Sequence, residues 1–178
     1  MKFRMLGTGR ARAQQHYERA LQYYDAGKIE MAVADLSEAI AYNRRRVEFY
    51  VARGLFWFEM DELAYAESDF ESALRLNPDE MIAHYGLGMV AHAEGRYEDG
   101  VHHFTHALEC DPERGECYYF RSICHYESGA LEQAEIDMDF ARQLLLPDDP
   151  RQLDAARWLA LFRRDREKIR RRPRRIDE

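Results

Sequence analysis

Three cysteines, five prolines and ten glycines are all that 178 residues contain. Three cysteines is an odd count without metal-type pairing. That argues for a reducing, cytoplasmic setting over a disulfide framework. So few prolines and glycines exclude a turn-rich β protein of this size. No apolar run approaches the roughly 20 residues that a membrane span needs. The first twelve residues are basic, with no apolar stretch and no small-residue cleavage site behind them, so they do not read as a secretory signal. No P-loop, GxGxxG, HExxH, GxSxG or CxxC pattern occurs. Gly7-Thr8-Gly9 has no strand before it and is too short to cradle a phosphate. The chain therefore reads as non-enzymatic, with no cofactor.

What is present is a foldable composition, 46 % hydrophobic and 33 % charged. The net charge of −7 conceals an asymmetry: residues 1–12 carry +4, residues 13–150 carry −17 and residues 151–178 carry +6. An acidic body repels nucleic acid over most of its surface and leaves only the ends to attract it.

The chain also repeats. Sliding it by 34 residues aligns it three times without a gap, with units starting at Ala13, Val47, Met81 and Gly115. Three columns stay small: Ala39/Ala73/Ala107/Ala141, Ala32/Ala66/Gly100/Ala134 and Ala20/Gly54/Gly88/Ser122. A fourth is bulky: Leu36/Phe70/Phe104/Met138. Apolar spacing within each unit is helical. Gly27, Asp61, Gly95 and Gly129 share the column where a first helix should stop. Asn77-Pro78 and Asp111-Pro112 should close second helices, because proline disfavours helix at its predecessor. Each unit is thus an antiparallel helix pair. Its small columns mark close backbone approach, and its bulky column fills the space between.

On these residues the sequence resembles the tetratricopeptide repeat (TPR) family, a 34-residue helix–turn–helix. The family pattern begins at His16/Tyr50/His84/Tyr118 and Arg19/Arg53/Leu87/Arg121. It runs through Tyr23/Trp57/Ala91/His125 and closes at Arg44/Pro78/Pro112/Leu146. The resemblance implies an all-α, right-handed α-solenoid of four units (13–46, 47–80, 81–114 and 115–148). A basic segment, 1–12, precedes them. Asp149-Pro150 then reads as cap and first turn of a C-terminal capping helix over 149–164, carrying Ala155, Trp158, Leu159 and Phe162. Residues 165–178 follow as a flexible basic tail.

Arginine stands where the family has leucine. Arg19, Arg53 and Arg121 are each followed sixteen residues later by Asp35, Asp69 and Asp137, whereas the third unit has Leu87 and His103. The two types occur and vanish together, which predicts three ion pairs pinning helix to helix. Repetition marks them as structural, not catalytic.

His102, His106 and Cys110 lie at i, i+4 and i+8, with His103 alongside. Three donors in line on one helix cannot surround a tetrahedral ion; His84 and His92 on the other helix could add a ligand, but the cluster reads first as a polar outer helix face, and no metal site is assigned. Cys117 and Cys124 share a helix face as small core residues.

The resemblance implies that first helices line a concave groove that holds a partner protein. Carried onto this sequence, the candidate partner contacts are Tyr17, Tyr24, Glu48, Phe58, Glu59, Tyr85, Met89, His92, Glu116, Tyr119 and Tyr126. The twenty groove positions hold five acids, six Tyr or Phe and no Lys or Arg. The carboxylate clamp of chaperone-binding TPR modules is missing: Tyr17, Leu21, Ala52, Ile82 and Gly86 stand at equivalent positions. The expected ligand is a basic, partly apolar segment bound by an adaptor or scaffold. Alternatives are self-association, or a nucleic-acid or ribosome-associated factor using the basic run Arg163–Arg175. That run also matches the acidic groove of its own or a neighbouring chain.

Overall fold

The computed structural model describes residues 2–171, with side chains from 9 to 169. Along them run α1 (Lys2–Asp25), α2 (Ile29–Tyr42), α3 (Val47–Glu59), α4 (Leu63–Leu76), α5 (Met81–Ala93), α6 (Tyr97–Cys110), α7 (Gly115–Glu127), α8 (Leu131–Leu144) and α9 (Pro150–Arg171). No strand occurs among the described residues. Packing separates two compact units, the division falling between Val90 and Ala91. Helices α3, α5 and α7 begin at Val47, Met81 and Gly115, where the 34-residue frame restarts.

One local device ends every first helix. Gly27, Asp61, Gly95 and Gly129 all take left-handed backbone, with φ of 70°, 62°, 74° and 83°. The next amide then reaches back to close the helix: Lys28 N to Tyr23 O, Glu62 N to Trp57 O, Arg96 N to Ala91 O and Ala130 N to His125 O, at 2.7–2.9 Å. This closure satisfies carbonyls that the helix end would orphan. Second helices end differently. The Asn43, Asn77, Asp111 and Leu145 amides bond Ala39, Ala73, Ala107 and Ala141 carbonyls at 2.9 Å. Prolines 78 and 112 then forbid a further turn. The same bond forms at Asn43 and Leu145, neither of which precedes a proline.

The repeated columns form the cores. Leu36, Phe70, Phe104 and Met138 are fully buried, as are Ala32, Ala39, Ala66, Ala73, Ala107, Ala134 and Ala141. In the N-terminal unit the Phe70 ring presses on two glycines: a Cβ at Gly54 would come within 2.8 Å of it, and one at Gly86 would overlap it. In the C-terminal unit the small column ends in buried Ser122, whose hydroxyl donates to the Ala134 carbonyl on the facing helix. Cys117 and Cys124 are buried there too.

The three expected ion pairs form. Arg53 holds Asp69 through Nε and a terminal nitrogen at 2.7 and 2.8 Å, and Arg121 holds Asp137 at the same distances. Arg19 grips both oxygens of Asp35, which also bonds His16 at 3.0 Å. All three aspartates are buried. The hydrogen bonds from Arg19, more than the opposing cost of burial, hold the Asp35 carboxyl below the usual carboxylate range.

Both chain ends differ from expectation. Helix α1 already begins at Lys2, ahead of Ala13, and carries the Arg12 guanidinium over the Tyr42 ring at 5.8 Å. Helix α9 runs to Arg171, seven residues past the expected stop at 164. Partners on α7 and α8 hold the helix across the expected stop. Arg163 and Arg166 reach Glu135 at 2.8 and 2.7 Å, and the Tyr126 hydroxyl donates to Asp165 at 2.9 Å. So two cations of the basic run serve helix docking. Its Arg172–Arg175 portion lies outside the described residues.

Candidate partner-binding cleft

Five of the proposed contacts converge in the N-terminal unit. Tyr24 of α1, Phe58 and Glu59 of α3, and Tyr85 and Met89 of α5 line a cleft of about 480 Å³ with Leu55, Phe56, Phe70 and Gly86. The helical spacing explains the meeting: Tyr85 and Met89 are four apart and share a face, as do Leu55, Phe58 and Glu59. Phe70 lines the space from the second helix because Gly86 contributes no side chain in front of it.

The walls are apolar, and the lining includes one carboxylate, Glu59. The Tyr24 ring stacks on Phe56 at 4.4 Å, and its hydroxyl donates to Glu59 Oε2 at 2.9 Å. That bond, with burial and the charges of Glu59 and Asp25, raises the Tyr24 hydroxyl above its ordinary pKa. Tyr24 is thus a hydrogen-bond donor throughout the physiological range, and it aligns Glu59 at the mouth. Among the described residues no Lys or Arg lines the cleft.

The other proposed contacts are engaged elsewhere. Tyr17 is half-buried and tilts against Phe49 at 5.2 Å, and exposed Glu48 pairs with Arg46 at 3.4 Å. His92 sits half-buried, edge-on to Tyr97 and Phe120, and burial lowers its pKa. Glu116, Tyr119 and Tyr126 serve α9. Arg151 reaches Glu116 at 3.4 Å, Trp158 Nε1 donates to the Tyr119 hydroxyl at 3.2 Å, and Tyr126 stacks on Phe162 at 4.8 Å. These three are therefore helix-docking residues in this structure. The resemblance aligns them with the partner-contact columns of the groove. The sequence reading missed Phe56 and Phe70 as cleft residues. The available signal was Gly86, in a column that reads Glu18, Ala52 and Phe120 in the other units.

The histidine cluster lies on α6. The His102 and His106 rings stand 4.6 Å apart at 87°, His103 is edge-on to His102 at 5.5 Å, and His106 Nδ1 is 2.9 Å from Glu109. Among the described residues no group of three or more His, Cys, Asp or Glu is arranged to hold a metal ion. Burial pushes the Cys117 and Cys124 thiols up to about 12, which makes them inert at neutral pH. No described helix is long and apolar enough to cross a membrane.

Known proteins supply the context. The family model for the tetratricopeptide repeat matches residues 61–114. Tetratricopeptide repeat protein 16 of Homo sapiens is 26 % identical over 110 residues, covering 58 % of this chain but only 13 % of that protein. Among solved structures, MamA from Desulfovibrio magneticus RS-1, from residue 41 to its end, matches with a TM-score of 0.79 at 20 % identity. That match covers 89 % of this chain and 88 % of the other. YrrB, a TPR protein with an unusual peptide-binding site, matches with a TM-score of 0.73 at 19 % identity over 85 % and 76 % of the two chains. The two structural likenesses establish the fold.

Proposed function

Since this chain is a tetratricopeptide-repeat protein, we propose that it is a non-catalytic adaptor whose N-terminal unit captures a partner segment. One observation carries this: an apolar cleft of about 480 Å³ lined by one carboxylate, Glu59, and by no Lys or Arg among the described residues. The volume falls within the range of about 300–1,000 Å³ typical of ligand sites. The partner segment inserts one bulky apolar side chain between Tyr24, Phe58, Tyr85 and Met89. Full burial of such a side chain contributes about 1.5–3 kcal/mol. A neighbouring Lys or Arg of the partner meets Glu59 and Asp25. The peptide-binding role of YrrB supports the reading by kinship of fold.

The test is selection from a displayed library of random peptides, followed by affinity measurement on the best sequence. Enriched peptides should share a Trp, Phe or Leu beside Lys or Arg. Tyr85→Ala should weaken the best peptide by about 1–2 kcal/mol, and Glu59→Lys should remove the preference for basic residues. Failure to enrich, or affinity unchanged in both Tyr85→Ala and Met89→Ala, would reject the cleft as the working surface.

A further inference from the structure

The histidines of α6 are not a requirement of the fold. In the column of His102 the other units carry Ala34, Ser68 and Ile136, and in that of His106 they carry Glu38, Ser72 and Phe140. The Arg–Asp pairs recur because helix packing uses them. Two imidazoles one turn apart, placed on the outer face of one unit, have no such explanation. Both lie outside the core: His102 is exposed, and the His106 side chain is 41 % exposed.

We propose that His102 and His106 form a two-imidazole site for a divalent transition-metal ion of the nickel–copper–zinc class, which imidazole ligands suit. The ring geometry supports it. Two His at i and i+4 share one helix face, the spacing at which helical histidine pairs hold an ion, and imidazoles turned toward a common ion lie about 4.5–5 Å apart between ring centres. The rings stand 4.6 Å apart and 87° to each other. Glu109 adds the support that metal-bound histidines usually have. Its carboxylate lies 2.9 Å from His106 Nδ1, which places the proton there and makes Nε2 the ligating atom. With no third His, Cys, Asp or Glu arranged to join among the described residues, water fills the remaining positions. The ion is then held at the surface, with sites open to a donor from outside the chain. Cys110, a further turn along, stays outside the shell.

The probe is nickel chloride titrated calorimetrically at neutral pH into the full chain freed of any affinity tag. One ion per chain should bind. His102→Ala and His106→Ala should each weaken binding about tenfold or more, with helical circular dichroism unchanged. Glu109→Gln should weaken it about tenfold through the lost orientation of His106. Cys110→Ser should leave it unchanged. Absence of binding, binding that survives both histidine substitutions, or binding that depends on Cys110 would each overturn the proposal. None of these outcomes bears on the cleft, so the two readings stand or fall separately.

Discussion

The Arg53 guanidinium donates to the Ser37 hydroxyl at 2.8 Å while its other two nitrogens grip Asp69. One side chain thus ties its own helix pair together and bonds the second helix of the pair before it. Arg121 does the same, with Asp137 in its own pair and Thr105 at 3.0 Å in the preceding one. Each hydroxyl passes the interaction on by donating to the carbonyl four residues back, Val33 or Val101. Where the arginine is replaced by Leu87, the hydroxyl column holds Glu71 instead.

Arg53→Leu should be costly, because it strands a buried carboxylate. A loss of about 3–5 kcal/mol in urea denaturation is expected. The double change Arg53→Leu/Asp69→His copies the third unit and should recover most of that loss. Ser37→Ala should cost about 1 kcal/mol. Equal losses in the single and double variants would show that Arg53 acts through packing alone.

Gly86→Ala should destabilise the N-terminal unit although alanine favours helix by about 1 kcal/mol. The new methyl overlaps the Phe70 ring, and overpacking of this kind costs about 1–3 kcal/mol. Phe70→Leu in the same chain should relieve the overlap, so a double-mutant cycle should show coupling above about 0.5 kcal/mol. Additive effects would contradict the contact.

Asp61 holds the left-handed position that glycine holds elsewhere in its column. A β-branched residue there suffers most. Gly95→Val should therefore lose about 1–2 kcal/mol, whereas Asp61→Gly should be neutral or gain up to about 1 kcal/mol. Thermal midpoints of the two variants against the parent check this.

Thiol titration should find one reactive cysteine per folded chain and three in denaturant. Cys110 is exposed, whereas Cys117 and Cys124 are buried and pushed up to about 12. Cys110→Ser should abolish the fast phase. Two or three fast thiols in the folded chain would contradict the burial.

Acidification should destabilise the chain in two stages. Burial holds His92 and His125 below the ordinary histidine value. The unfolded chain therefore binds protons first, and stability falls as pH drops below about 6.5. Asp35 is held low by Arg19, so its contribution is complete above the ordinary carboxylate value and is lost as pH falls through the lower folded one. The thermal midpoint should thus be level above about pH 7 and decline below it. His92→Gln/His125→Gln should flatten the upper part of the decline and leave the acid limb.

Much of the architecture is legible in residue order because its causes are local or repeated. Gly27, Asp61, Gly95 and Gly129 mark helix ends by a backbone requirement that one residue satisfies. Asn77-Pro78 and Asp111-Pro112 act within two positions. The Arg–Asp pairs show themselves by occurring and vanishing together at a sixteen-residue spacing, the reach across one helix pair. The 34-residue period by itself determined the helix pairs, their core columns and the likeness to a family.

What the period could not determine is which aligned residues stay uncovered. Tyr85 and Tyr119 occupy the same column, yet Tyr85 lines an open cleft and Tyr119 bonds Trp158 beneath α9. A repeat assigns a side chain to a face of its helix. Whether that face meets solvent depends on the neighbour packed beside it. For Tyr119 the neighbour is 39 residues away, on a helix outside the repeat. For Tyr85 the decisive feature is a missing side chain at Gly86 and the Phe70 ring that fills in behind it. Tertiary packing decided which aligned residues line a cleft, because exposure is a property of pairs of elements, whereas periodicity is a property of one.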